Sequence, residues 1–564
     1  MEDFMARTVA IGQQSFEAIR NGDYFYVDKT AFIKEWWESG DAVTLITRPR
    51  RFGKTLNMNM LETFFSINYA GRGELFEGLD IWKDEKYREL QGTYPVISLS
   101  FAEVKERNFE YAKMRIYQLL VDLYSKHDFL LKENFLEGAD LDFFQSVGMD
   151  MSEPVATRAL HKLSDFLCRY YGRKVIILLD EYDTPMQEAY VDGYWEELVS
   201  FTRSMFNSAF KTNPYVERAI MTGITRVSRE SMLSDLNNLE VVTTTSNKYT
   251  TAFGFTEEEV FDVLEEYGYS DQKLQVKNWY DGFIFGKQRD IYNPWSILNF
   301  IDKGKVDTYW ANTSSNALVN QLVRQGSNRM KEKFEILLNG GTIRCPIDEQ
   351  IVYDQLDDDE DAVWSLLIAG GYLKVLGHEG KESGREQMYE LVLTNAEVRD
   401  MFCSMVRGWF KRSKTAYHGF VQALLACDID AMNDYMNEVA LKTFSYFDTG
   451  SDDAGSQPER FYHGFVLGLL VDLDEDYVIT SNRESGYGRY DVMLEPRKKS
   501  RNAYILEFKV FHPRREQTIE DTVRAAHVQI EEKQYASALI AKGIPEDNIY
   551  KYGFAFEGKN VLIG

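Results

Sequence analysis

Ala42-Val43-Thr44-Leu45-Ile46-Thr47 runs without a break into Arg48-Pro49-Arg50-Arg51-Phe52-Gly53-Lys54-Thr55. Apolar residues then recur at Leu56, Met60, Leu61, Phe64 and Phe65. The first six residues read as a short buried strand, and the later apolar positions follow helical spacing. Strand, loop, Gly-Lys-Thr, helix is the context that a phosphate-binding loop requires. Backbone N–H groups and the helix N-terminus would hold phosphate oxygens, Lys54 would span the β- and γ-phosphates, and the Thr55 hydroxyl would reach Mg²⁺. Arg50, Arg51 and Gly53 complete the candidate contacts of this loop. One position departs from the GxxxxGK[ST] pattern, because Arg48 stands where its first glycine belongs.

Further along, Lys174-Val175-Ile176-Ile177-Leu178-Leu179 is a largely apolar run, as a central parallel strand should be, and it ends in Asp180-Glu181-Tyr182-Asp183. Asp180 at the carboxyl end of that strand is placed for Mg²⁺, and Glu181 beside it for polarising an attacking water. Tyr94 to Phe101 supplies a strand between the two motifs. Ala219-Ile220-Met221-Thr222-Gly223 supplies another, with Thr222 where a γ-phosphate sensor would sit and Arg226 within reach of a phosphate. Four such pieces in this order predict an α/β parallel sheet that binds ATP. Whether the nucleotide is hydrolysed or only held stays open, given Arg48.

At 564 residues the chain exceeds one core, and three or four domains are expected. No stretch approaches the roughly 18 apolar residues of a membrane span. The amino-terminal residues do not read as a secretory segment, and the four scattered cysteines fit no metal spacing. A reducing, cytoplasmic setting is therefore expected. The net charge of −25 argues against coating nucleic acid by bulk electrostatics. The sign reverses locally near the carboxyl end, where Arg483, Arg489, Arg497, Lys498, Lys499, Arg501, Lys509, Arg514 and Arg515 gather.

Thr256 with Glu259 three residues on is a capping box that starts a helix. Trp279 to Phe283 and Tyr292-Asn293-Pro294-Trp295-Ser296 read as aromatic turns, either in a helical lid over the nucleotide or as packing anchors. Residues 1–245 are expected to form the nucleotide-binding domain, 246–325 the helical lid and 326–446 a helical, winged-helix-like connector. The Asp-, Gly- and Ser-rich stretch from Asp448 to Gln457 reads as a linker, and 458–564 as the last domain. In that domain a helix bearing Glu459 precedes strands ending at Gly488-Arg489-Tyr490-Asp491 and at Glu507-Phe508-Lys509, and a helix over Ala526 to Tyr535 carries Gln529. Alternation puts Glu507 and Lys509 on one face, and pairing of the two strands would bring Asp491 beside them. Two carboxylates and a lysine suit a hard divalent cation and a phosphodiester.

Together with Tyr26-Val27-Asp28-Lys29-Thr30 and Phe461-Tyr462-His463-Gly464, these motifs resemble a bacterial family. That family pairs a predicted AAA-type ATPase domain with a carboxyl-terminal domain of the PD-(D/E)XK nuclease superfamily. The resemblance implies a P-loop NTPase sheet with a helical lid and middle region, followed by an α/β nuclease-like domain. It implies that Asp491 and Glu507 bind Mg²⁺, with Mn²⁺ as a substitute, and that Lys509 assists the attacking water. Glu459 and Gln529 would join that site. Gly-Arg-Tyr-Asp here replaces the family's nominal Pro-Asp. The expectation is a nucleotide-regulated nuclease acting on nucleic acid, DNA rather than RNA, away from membranes and assembling as a homo-oligomer. Two other readings stay open: an ATP-dependent switch or scaffold that binds without cutting, and an ATPase acting on protein partners.

Overall fold

Val43–Thr47 (β1) and Val175–Asp180 (β3) are buried at every position in the computed structural model. Strands covered on both faces must be apolar throughout, which is why these runs show no alternation. With Val96–Ser100 (β2), Val216–Gly223 (β4) and Leu239–Val242 (β5) they form one sheet in the order β2-β3-β4-β1-β5. All its pairings are parallel. The loop strand β1 and the aspartate strand β3 are thus separated by β4 alone, so the carboxyl ends of all three converge. Helices return the chain between strands. Glu153–Tyr171, for example, buries Ala156, Ala159, Leu160, Leu163, Phe166 and Leu167 at helical spacing and ends at Gly172, whose φ of +63° suits a left-handed cap.

The structure describes residues 7–226, 233, 235–310, 317–325, 328–338, 340–348, 356, 360–378, 387–410, 417–443, 466, 470, 473, 476–481, 484–485, 488–489, 491–498, 501–512, 516–557 and 560–564. The chain forms two compact units, Met1–Leu322 with Gly340–Arg399 and Val323–Asn339 with Asp400–Gly564. The Asp448 to Gln457 stretch, the helix expected to carry Glu459, and the Phe461-Tyr462-His463-Gly464 motif lie outside the described residues.

In the first unit, Phe255–Thr256 (β6), Asp281–Phe285 (β7) and Gln288–Tyr292 (β8) make a small antiparallel sheet in the order β6-β8-β7. The helix Glu257–Glu266 begins at the capping box of Thr256 and Glu259. Glu259 has a second partner: the Lys29 ammonium, 9% exposed, lies 2.7 Å from it and 2.9 Å from the Thr251 carbonyl. The Tyr-Val-Asp-Lys-Thr motif therefore fastens the amino-terminal segment to this sheet. Ile343–Pro346 (β9), Leu373–His378 (β10) and Met388–Leu393 (β11) form a further sheet, with β11 central. β10 and β11 pair antiparallel, and β9 adds to the other side of β11.

In the second unit, Tyr477–Ser481 (β12), the short ladder Glu484–Ser485 (β13) with Gly488–Arg489 (β14), Val492–Pro496 (β15), Ala503–Val510 (β16), Ile549–Glu557 (β17) and Asn560–Ile563 (β18) follow in chain order. The main sheet runs β12-β15-β16-β17-β18, antiparallel except for the β16–β17 pair, which is parallel. A parallel pair needs a crossover, supplied here by the helix Ile519–Glu532. That helix begins seven residues before the start read from the sequence, because the Asp521 carboxylate accepts the Thr518 N–H at 2.9 Å and so caps it.

Alternation divides β16 between two cores. Tyr504, Leu506 and Phe508 join Phe554 and Phe556 on one face, beside Phe420 and Met436 of the helices Tyr417–Ala426 and Ile429–Thr443. Ala503 and Ile505 join Met493, Ile530, Tyr535 and Leu539 on the other. Glu507 and Lys509 follow the second parity, so they face the helix that carries Gln529. The outer strand β18 is closed by two asparagines one helical turn apart. Asn433 and Asn437 each exchange two hydrogen bonds of 2.7–2.9 Å with the backbone of Ile563 and Val561. A strand edge paired in this way cannot recruit a foreign strand.

Candidate functional site

The loop after β1 turns into the helix Lys54–Phe65 through Arg51 and Gly53, at φ of +64° and +78°. Thr55 Oγ1 donates to Asp180 Oδ2 at 2.7 Å. The Thr222 hydroxyl, at the end of the intervening strand, donates to Asp180 Oδ1. Thr222 Oγ1 also accepts the Glu181 N–H at 3.4 Å. One carboxylate thus ties together the helix start and the ends of β3 and β4. Burial pushes its pKa up, and the hydroxyls of Thr222 and Thr55 oppose that shift. Lys54, 6% exposed, donates from Nζ to the Arg48 and Pro49 carbonyls, both at 2.9 Å, and burial lowers its pKa against the pull of Glu181, Asp180 and Asp183.

Lys54, Thr55, Asp180, Glu181 and Thr222 are brought into one place by these bonds, with Gly53 at the turn. Arg50 donates to Gln187 at 3.0 Å and lies near enough to Lys54 to help lower its pKa. Arg51 turns away, its guanidinium 4.4 Å over the Trp295 ring. Arg226 is half-buried just past β4. Asp183 was not among the candidates, yet it is buried and accepts from Ile224 N, Thr225 N and Thr225 Oγ1 at 2.8–3.0 Å. It fixes the segment leading to Arg226. Its signal in the sequence is the second aspartate of Asp-Glu-Tyr-Asp.

Arg48, the departure from the glycine pattern, has a structural explanation. Its side chain is fully buried and points away from the turn. Nη1 donates to the Thr47 and Thr243 carbonyls at 3.0 and 2.6 Å, and Nη2 to the Lys248 carbonyl at 3.2 Å. The guanidinium sits 4.6 Å over the Phe285 ring. Burial lowers its pKa to about 9. Arg48 therefore staples the loop to the segment after β5 and leaves its carbonyl to Lys54. The Tyr-Asn-Pro-Trp-Ser motif braces the same loop. Asn293 caps the helix Pro294–Lys303 and donates to the Arg50 carbonyl at 3.3 Å, which also receives Trp310 Nε1 at 2.9 Å.

In the second unit, β15 and β16 pair with Val492 opposite Leu506, which sets Asp491 next to Glu507. Asp491 Oδ2 accepts the Phe508 N–H at 2.8 Å. Gln529 Oε1 accepts from Lys509 Nζ at 2.7 Å, while Gln529 Nε2 donates to Glu507 Oε1 and, at 3.1 Å, to the Tyr535 hydroxyl. Gln529 is thus the hub that fixes Glu507 and Lys509 together. Tyr535 stands behind it, its hydroxyl pKa raised by burial first and then by the charges of Glu507 and Asp491. Glu507 is 1% exposed. Arg501 pairs with Asp476 at 2.5 Å, the ordinary behaviour of a solvated hairpin charge.

Sequence reading missed a further acidic group, Glu257, Asp281 and Asp290, whose ligand atoms lie within 4.8 Å of one another. Glu257 accepts from Lys277 Nζ and from the Tyr292 hydroxyl. Burial, followed by the adjacent Asp290, pushes the Asp281 carboxyl up to about 7.

A parallel sheet with this loop and aspartate is that of a P-loop nucleotide-binding domain, and the mixed sheet with Asp491 and Glu-x-Lys is that of a nuclease-like domain. Residues 10–233 match the family described as "Predicted AAA-ATPase", and residues 457–564 match the "PD-(D/E)XK nuclease superfamily". The chain therefore joins an AAA-ATPase-like domain to a PD-(D/E)XK nuclease superfamily domain. It is 24% identical over 553 residues to "Uncharacterized protein in vnfD 5'region" of Azotobacter chroococcum mcd 1, covering 96% of this chain and 95% of that one. Among solved structures, the Aeropyrum pernix ORC2 protein (ADPNP-ADP complexes) is matched over 72% of this chain and 97% of that chain, at 10% identity and a TM-score of 0.21.

Two outcomes follow from this geometry. Restoring the glycine with Arg48→Gly leaves the Thr243 and Lys248 carbonyls without their donor and opens a cavity. It should destabilise the chain by about 2–4 kcal/mol, read as a lower thermal midpoint, with no gain in ATP affinity. Asp281, ordinarily near 3.8, holds a proton in the folded state that the unfolded chain releases. Stability should therefore fall as pH rises between about 4 and about 7, and Asp281→Asn should flatten that decline in thermal melts across the range.

Proposed function

We propose that the chain is a nucleotide-regulated, Mg²⁺-dependent nuclease, in which ATP binding by the AAA-ATPase-like domain controls phosphodiester cleavage by the PD-(D/E)XK domain. The observation that supports cutting most directly is the Gln529 hub, which presents Lys509 and Glu507 from one strand face beside Asp491. Two carboxylates give an oxygen-only donor set of the kind a hard divalent cation takes, and Asp491 and Glu507 would hold it. When bound, Mg²⁺ supplies Lewis-acid stabilisation of phosphate charge and a more acidic water. Glu507, nearly excluded from solvent, keeps its direction because the Gln529 amide fixes one oxygen. The same amide accepts from Lys509 Nζ, so the lysine's positive charge would be offered to the phosphate without having to be ordered during the reaction. Glu459 is proposed to complete this set.

At the nucleotide site, Lys54 and the loop N–H groups would receive the β- and γ-phosphates, and Thr55 with Asp180 would hold Mg²⁺. Glu181 would orient the attacking water, and Thr222 would report the γ-phosphate through its bond to Asp180. Arg50, Arg51 and Arg226 would add charge around the phosphates, Arg51 after leaving Trp295. DNA is the proposed substrate, with a homo-oligomer as the working assembly in the cytoplasm.

Purified full-length protein with Mg²⁺ or Mn²⁺ should cut plasmid or single-stranded DNA in an ATP-responsive way. Glu507→Ala should abolish cutting, and Lys54→Ala should abolish the response to ATP. No cleavage under any of these conditions, with Glu507→Ala indistinguishable from the parent, would leave a binding switch as the better reading. Gln529→Ala, which removes a positioning residue, should lower kcat about 10- to 100-fold with KM for DNA nearly unchanged. A change confined to KM would contradict the positioning role.

A further inference from the structure

Beside the phosphate-binding loop, a cavity of about 490 Å³ opens between the hairpin β7–β8, the strands β10 and β11, and the segment after β5. Its volume is that of a small-molecule site. Among the described residues, three cations line it, Lys287, Arg289 and Lys374, and no aspartate or glutamate does. That is against the trend of a chain with 89 acidic and 64 basic residues. Among the described residues, none of the three cations has a carboxylate within ion-pair distance. Lys374 is half-buried, and its charge is felt by Asp281 and Asp290, which lie outside the lining. The walls are mixed: Phe283, Phe285 and Tyr389 offer apolar surface, while Thr244, Thr245 and Asn247 offer hydrogen-bonding groups.

Of the loop, Pro49 alone reaches the lining; Gly53, Lys54, Thr55, Asp180, Glu181 and Thr222 do not. The Pro49 ring is packed against Gly371, where an added Cβ would come within 2.7 Å of it, and the Pro49 carbonyl holds Lys54 Nζ. The cavity is therefore next to the phosphate site and separate from it.

We infer that this cavity is a second binding site, for a small doubly charged anion with a planar or apolar body, of which a nucleoside monophosphate is the type. The phosphate would lie on Lys287, Arg289 and Lys374, and the body against the aromatic wall. This site stands whether or not the PD-(D/E)XK domain cuts.

AMP is the probe, titrated calorimetrically into full-length Lys54→Ala protein so that the phosphate-binding loop contributes little. AMP should bind with a Kd tighter than about 1 mM, and adenosine or inorganic phosphate alone at least about tenfold more weakly. Lys287→Glu with Arg289→Glu, both exposed positions, should weaken AMP at least about tenfold while leaving ATP binding to the otherwise native chain within about twofold. Three results would each overturn the inference: no AMP binding, AMP binding insensitive to these charge reversals, or an equal loss of ATP affinity in them. The last would make the cavity part of the loop's own nucleotide site.

Discussion

The Asp180 carboxylate, 5% exposed, is the interaction on which the proposed nucleotide site depends. It accepts from Thr55 at the start of one helix and from Thr222 at the end of a neighbouring strand. A buried charge of this kind is tolerated only when it is fully engaged, and breaking one partner leaves an expensive remainder. The strand order makes the arrangement possible, because β4 lies between β1 and β3 and delivers Thr222 between loop and aspartate. Lys54 completes it from the other side by bonding the loop's own carbonyls. The loop cannot shift without disturbing Arg48 below it or Asn293 and Trp310 beside it.

The second unit is built on the same economy of contacts. One amide, Gln529, gives its oxygen to a lysine and its nitrogen to a glutamate two residues away on a strand. Strand alternation places Glu507 and Lys509 on the covered face, and the crossover helix brings Gln529 over them. Because β16 and β17 are parallel, that helix must pass across the sheet, so its position is a consequence of topology.

Much of this was legible in the sequence, for a physical reason in each case. Unbroken apolar runs ending in Gly-Lys-Thr and Asp-Glu leave little choice of fold, and the alternation around Glu507 and Lys509 fixes a face. Arg48 was not legible, because its partners Thr243 and Lys248 lie 195 and 200 residues away and are main-chain carbonyls that any residue carries. The edge clamp of Asn433 and Asn437 escaped for the same reason. The start of the helix over Gln529 is hard to read from sequence because its cap, Thr518 with Asp521, lies in a polar stretch. The Glu257, Asp281 and Asp290 group arises only when the helix cap and the hairpin fold together.

The most direct test of the nucleotide site is the Mg²⁺ dependence of ATP binding to the full-length chain, compared with Asp180→Asn by titration calorimetry. With Asp180 intact, Mg²⁺ should tighten ATP binding by about tenfold or more, and in Asp180→Asn that gain should vanish while the protein stays folded. An undiminished Mg²⁺ effect in folded Asp180→Asn would contradict the placing of the metal between Thr55 and Asp180.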